Sequence, residues 1–277
     1  MKLTVLVENR AMDARVRRAH GLSIFVETAE HTVLFDFGPR GELLLSNAAA
    51  LGCDLAAVDF AVLSHGHNDH SGGLEAFLQA NDHARVYVHR RAFLPHFAQA
   101  GENWNDISAD PSLRERWGER LVFTEGVCAI APGLTLFSDV PEAVPIFSTN
   151  RTLFEREAEA LRPDAFTHEQ SLLLREGEKL VLLGGCAHRG ITNIIARAET
   201  VAGRAPDAVF AGFHMTNPGL GVDEDTPVIL RAGETLKAWP CAYYTGHCTG
   251  EGPYRLLEDV LGQRMTYMGC GCSFEVR

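Results

Sequence analysis

Six consecutive positions, His65-Gly-His67-Asn-Asp69-His70, carry three imidazoles and a carboxylate. Nitrogen and oxygen donors of this kind suit divalent zinc, manganese or iron, with zinc favouring low coordination numbers. A lone histidine is more often a satisfied structural residue than a ligand. Alternating imidazole and carboxylate on a glycine-containing loop is different, because the backbone can aim several side chains at one point. The spacing therefore predicts a metal loop. A bound divalent ion can bring the pKa of a water from about 15.7 down to about 7 and take up charge on a carbonyl or phosphoryl oxygen, so the expected chemistry is metal-assisted hydrolysis. No Ser-His-Asp nucleophile elbow, P-loop or GxGxxG between strand and helix competes with it.

The elements around the loop must position it. An apolar run at 58–63 reads as a buried strand, and after Gly72-Gly73 the stretch 74–81 reads as a helix. The histidines thus fall at the carboxyl end of a strand, where α/β proteins bind ligands. Upstream, 2–37 is β-rich, with a hairpin through Ala29-Glu30-His31, and 42–51 is helical. Residues 85–89 form a further strand, 121–123 and 134–137 two more, and 171–183 a hairpin about a charged glycine turn. Helices at 190–201, 228–239 and 254–261 then alternate with strands at 208–213 and 242–245. Residues 96–120 hold two tryptophans and Pro111 without a period, which suggests an irregular insertion or lid. The expectation is one α/β domain over 1–277, a sheet sandwich covered by helices, with a lid near 90–120.

The chain has 277 residues, 46% of them hydrophobic, and its charge of −11 disfavours non-specific nucleic-acid binding. The opening MKLTVLVENR lacks the apolar core of a signal peptide, and no window resembles a membrane span. Seven cysteines, without paired CxxC spacing, suggest reduced thiols. A cytoplasmic protein acting on a small molecule is expected, with neither nucleic acid nor membrane as partner. Cys270-Gly-Cys272 reads as packing or free thiols, since no partner pair completes a zinc site.

At the histidine loop the chain resembles the metallo-β-lactamase superfamily, whose HxHxDH motif matches His65, His67, Asp69 and His70 position by position. Leu34-Phe-Asp36-Phe-Gly38 matches the strand-end Asp-x-Gly that precedes this loop. Gly185-Cys-Ala-His188-Arg-Gly-Ile, Gly212-Phe-His214 and Thr245-Gly-His247-Cys-Thr-Gly250 narrow the likeness to one branch. That branch is described as resembling 7,8-dihydropterin-6-methyl-4-(β-D-ribofuranosyl)aminobenzene-5′-phosphate synthase. The resemblance implies an αββα four-layer sandwich and two divalent metal ions, zinc first, with iron or manganese as alternatives. It implies His65, His67 and a later histidine on the first ion, and Asp69, His70 and His247 on the second.

The later histidine is His188 by motif context, with His168 at the head of the hairpin as its rival. Many relatives carry a bridging aspartate where this chain has Cys186, which either bridges as thiolate or packs as a small hydrophobe. Asp36 would orient a ligand histidine, while Asp69 and His214 would handle the proton. His20, His31, His83, His89 and His96 read as surface or packing residues. The branch suggests a phosphate-bearing, pterin-like or ester or lactone substrate. Arg114, Arg116, Arg120 and Arg189 could then meet an anion, and Phe93, Trp104 and Trp117 could stack on a ring. The rivals are a di-iron redox or gas-binding protein and a metal-dependent sensor without turnover.

Overall fold

In the computed structural model, which describes all 277 residues, two seven-stranded sheets lie face to face. Strand order in the first is Ser273–Glu275, Lys2–Val7, Ser23–Glu27, Thr32–Phe35, Phe60–Leu63, Arg85–His89, Leu121–Thr124. The second runs Met265–Tyr267, Ala242–Thr245, Ala208–Phe210, Lys179–Leu183, Ser171–Glu176, Leu134–Phe137, Val127–Ala131.

The strand Ser171–Glu176 shows how the layers form. Leu172 and Leu174 enter the space between the sheets, with Leu3, Val5, Val62 and Phe210. Leu173 points the other way, beneath the helices. With both faces covered, the strand is an unbroken leucine run and not a polar alternation. On the outside of the first sheet, Gly41–Leu51 and Leu74–Ala80 bury Leu44, Ala48, Phe77 and Leu78. On the second, Ile191–Ala202, Thr226–Leu236 and Glu251–Leu261 bury Ile194, Ile195, Ile229, Leu236 and Leu257. The architecture is an αββα four-layer sandwich. Each fully buried leucine or isoleucine contributes roughly 1.5–3 kcal/mol over exposure, so three apolar layers hold the frame while its edge can carry polar groups.

That edge is set by strand direction. Thr32–Phe35 runs parallel to Phe60–Leu63, and Lys179–Leu183, Ala208–Phe210 and Ala242–Thr245 run parallel in the other sheet. Their carboxyl ends carry the loops that begin at Asp36, Ser64, Gly184, Ala211 and Gly246.

The insertion departs from the irregular lid read from the sequence. His96–Ala100 and Asn103–Asp106 form a hairpin, and His96–Ala100 also pairs with Leu153–Glu157. With Ala160–Pro163 these make a four-stranded antiparallel sheet. Its strands are short and Asn103–Asp106 is exposed throughout, so no alternation of apolar and polar residues marks it. Half of its partners lie some fifty residues along the chain, beyond any local signal. Only Leu113–Arg116 turns helical in the rest of the segment. No helix is long and apolar enough to cross a membrane.

Candidate metal centre

The loops at this edge are held by backbone bonds and close contacts. Asn68 N–H donates to the Ile107 carbonyl at 2.7 Å and Ala109 N–H to that of Gly66 at 2.8 Å, tying the histidine loop to the segment that follows the hairpin. Glycine is required at two crossings. A Cβ on Gly66 would stand 2.0 Å from the Ala92 carbonyl oxygen, and one on Gly185 would stand 2.2 Å from Ser64 Oγ. Four non-glycine residues here take positive φ: Asp36 at 60°, Ala187 at 55°, His214 at 44° and His247 at 51°.

Hydrogen bonding then fixes which nitrogen each ring presents. Asp36 Oδ2 accepts from Ser64 Oγ at 2.7 Å and from His70 Nδ1 at 2.6 Å. Having given its proton to Asp36, Ser64 Oγ can only accept from His65 Nδ1, 2.8 Å away. His188 Nδ1 donates to Asn150 Oδ1 at 2.8 Å, and His247 Nδ1 to Asn9 Oδ1 at 3.0 Å. In His65 and His188 this leaves Nε2 with a bare lone pair and no partner, whereas Nε2 of His70 and His247 meet each other, Cys186 and Asp69.

Those lone pairs converge. Donor atoms of His65, His67 and His188 lie within 4.8 Å of one another, and Nε2 of each is buried without a partner. Beside them, His70 Nε2 is 3.2 Å from His247 Nε2 and 3.2 Å from Cys186 Sγ, while Asp69 Oδ2 is 3.2 Å from His247 Nε2. Cys248 Sγ joins Cys186 and His247 within the same 4.8 Å. Both nitrogens of His214 are buried and unpartnered, and its ring centroid is 4.2 Å from that of His188. A cleft of about 240 Å³ opens over these groups, walled by Ala98, Gln99, Asn105, Ile107, Leu153 and Asn217.

Burial, aided by the neighbouring imidazoles, holds His65, His67 and His188 well below the ordinary histidine range, so they are neutral donors. Burial opposes charge on Asp69 too, but His70 and the bonds from His20 and His247 outweigh it and keep the carboxyl well below its usual range. For His70, Asp69 and Asp36 overcome burial and lift the imidazole to about 9. Burial and nearby Cys248 push the Cys186 thiol up.

The structure thus brings together His65, His67, Asp69, His70, His188, His247, Cys186 and His214. His168 lies beside them in a buried group with His67, His96 and Asp164, whose donor atoms are all within 4.8 Å of one another. Its Nδ1 accepts from Gly66 N–H at 3.0 Å and its Nε2 meets Asp164 Oδ2 at 3.1 Å, so neither nitrogen is free. Two histidines read from the sequence as surface or packing residues belong here. His20 Nε2 lies 3.3 Å from Asp69 Oδ2 and His96 Nδ1 lies 3.1 Å from Asp164 Oδ2. No spacing motif marks either one, because each reaches the site from a distant loop or the hairpin.

The arginines expected to meet an anion lie elsewhere. Arg114 stacks on Phe123, Arg116 pairs with Glu75 and Asp110, Arg120 binds the Asn81 and Ala84 carbonyls, and Arg189 binds those of Val140 and Ala165. Nor do the aromatics wall the cleft. Phe93 is buried in the first helical layer with Trp117 against it, and Trp104 packs on Phe154. Cys270 Sγ donates to the Leu6 carbonyl, as packing requires.

An αββα sandwich with a histidine-rich centre at the loop edge defines a class, and the family profile agrees with it. The chain belongs to the Metallo-beta-lactamase superfamily, whose profile matches residues 16–219. Within that class it is 27% identical over 244 residues to the 7,8-dihydropterin-6-methyl-4-(beta-D-ribofuranosyl)-aminobenzene-5'-phosphate synthase of Methanocaldococcus jannaschii, covering 83% of this chain and 81% of that one. Among solved structures, Tm1679, a metal-dependent hydrolase of the beta-lactamase superfamily, superposes with TM-score 0.81 at 25% identity over 100% of this chain and 99% of that one. Zn(2+)-bound PqqB from Methylobacterium extorquens shares the fold at TM-score 0.54 and 16% identity, over 100% of both chains.

Proposed function

We propose that the protein is a hydrolase using two divalent ions, zinc first among the candidates and iron or manganese the alternatives. His65, His67 and His188 hold the first ion, and Asp69, His70 and His247 the second, with Cys186 beside it. One observation carries the reading. The Nε2 atoms of His65, His67 and His188 are buried without a partner and lie within 4.8 Å of one another, with Nδ1–H of His65 and His188 tied off. Without a cation such crowding of unpaired donors is costly.

Ions held by these residues would supply an acidified water and would take up charge on the substrate oxygen. The chain's residues do the rest. Asp36, Ser64, Asn150 and Asn9 hold the tautomers. Asp69, kept ionised, accepts a proton at its carboxylate, and His214 delivers one to the leaving group from an otherwise unbonded ring nitrogen. Ala98, Ile107 and Leu153 exclude water above the centre. The substrate is a small phosphate-bearing, pterin-like or ester or lactone molecule, in keeping with the similarity to the Methanocaldococcus synthase. The amides of Gln99, Asn105 and Asn217 suit an uncharged polar ring. We place the protein in the cytoplasm, as a single domain, without nucleic-acid or membrane partners. Seven unpaired cysteines and the charge of −11 favour that setting.

A second reading, an iron-loaded redox or gas-binding centre, gains from the two thiols near the second ion, which are soft donors. Elemental analysis of anaerobically purified protein, with a screen of phosphodiesters, lactones and thioesters, separates the two. Zinc with turnover is expected. Full metal stoichiometry in His67→Ala would refute the site.

A further inference from the structure

The cleft over the centre has no lysine or arginine in its wall. A second recess, of about 250 Å³, adjoins it and shares His20, Pro218, His247 and Cys248 with it, so the two form one groove past the second ion's residues. Arg10 and Arg18 line this second recess. They are the cations of that groove, in a chain whose charge is −11.

Arg10 is fixed to the centre by its neighbours. Buried Glu8 accepts from Arg10 N–H at 2.6 Å, from His247 N–H at 2.5 Å and from the Tyr267 hydroxyl at 2.9 Å. Asn9 orients the His247 ring, and the Arg10 guanidinium lies 4.8 Å over the Tyr267 ring. Three consecutive residues thus lock a metal-facing imidazole and a cation into one rigid unit. Arg18 makes no ion pair. Glu251 is the carboxylate paired with the Arg10 guanidinium, 3.7 Å from its Nε, and exposed pairs of that kind hold weakly.

We propose that Arg10 and Arg18 form a phosphate subsite, which binds the substrate's phosphate group while the uncharged end lies against Gln99 and Asn105 and the reacting bond passes over the metals. Guanidinium groups suit phosphate because their planar donors pair with two oxygens at once. The subsite relies on the hydrolase reading only for the position of the reacting bond.

The test is calorimetric binding of phenylphosphonate to zinc-loaded protein, with zinc content measured on every sample. Zinc content judges the metal site, turnover in the screen of phosphodiesters, lactones and thioesters judges the hydrolase reading, and the arginine variants judge the subsite. Arg18→Ala and Arg10→Ala should each weaken binding by about tenfold or more at unchanged zinc content, as loss of a charged hydrogen bond implies. Arg18→Lys should recover part of the loss, and Arg114→Ala, which removes equal charge far from the groove, should bind as wild type. Benzoate, a planar monoanion, should bind more weakly than phenylphosphonate and respond less to either variant. The subsite is overturned if the two variants bind phenylphosphonate as wild type does, if Arg114→Ala weakens it equally, or if wild type does not bind it.

Discussion

The trio His65, His67 and His188 and the trio Asp69, His70 and His247 lie side by side, yet they are made of different materials. The first is imidazole throughout and held neutral by burial. The second carries an ionised carboxylate, an imidazole lifted to about 9 and a thiol 3.2 Å away. The first half is therefore short of positive charge, and the second already holds a proton in the place of a cation. An ion entering the second half must displace that proton, whereas one entering the first need displace none.

The sharpest break in this comparison comes from exchanging histidines. His188→Ala should empty the first half, a loss larger than the ten- to hundredfold, roughly, that removing an outer partner costs. His168→Ala should keep both ions but lower stability by about 2 kcal/mol, since it leaves the Gly66 N–H unpaired. Metal stoichiometry and urea unfolding on both variants check it, and the reverse pattern would move His168 into the centre.

Asp36 is where the halves meet, because one oxygen holds His70 directly and His65 through Ser64. Asp36→Asn should weaken both ions by about ten- to hundredfold. Asn150→Ala should weaken only the first and Asn9→Ala only the second. Competition with a graded series of chelators reads each affinity, and equal effects from all three variants would dissolve the distinction.

Cys186 tests whether the second half owns the thiol. If Cys186 coordinates, Cys186→Ser should lose the second ion selectively, because the hydroxyl stays protonated, and Cys186→Asp should restore it. A serine variant that keeps two ions would make Cys186 a packing residue, and the aspartate would then cost several kcal/mol, roughly, as a buried unpaired charge.

The smallest effect is on pH. His65, His67 and His188 sit below the ordinary 6.5, so the unfolded chain takes up protons first and the metal-free fold loses stability as pH falls below 6.5. His70 acts in the opposite sense, giving stability that is complete below 6.5 and lost as pH rises through about 9. Chelator-treated protein should show its highest melting temperature between those limits. A monotonic rise with pH would show that His70 carries no extra proton.

Legibility in the sequence followed the same division between local and distant. His65, His67, Asp69 and His70 share one loop, and the leucine runs at 171–183 carry their layer assignment in their own order. His20 and His96 arrive from far along the chain, and the hairpin that brings His96 is stabilised by partners at 153–157 rather than by its own pattern. His188 and His168 differ in their ring-nitrogen partners, which depend on Asn150, Gly66 and Asp164 standing where the fold puts them.

The positive φ angles at Asp36, Ala187, His214 and His247 have a consequence for how the protein could evolve. Each such residue stores roughly 1–3 kcal/mol of backbone strain, so this edge works as a loaded spring held shut by the layers behind it. Ala187 at 55° has only a buried methyl group to lose, which makes it the place to let the spring go. Ala187→Gly should leave the metal-free melting temperature unchanged or higher while loosening His188 and slowing metal capture. Selection for a more rugged protein would then reach this loop first and erode the centre in doing so, and a variant that melts lower would show that the spring was never wound.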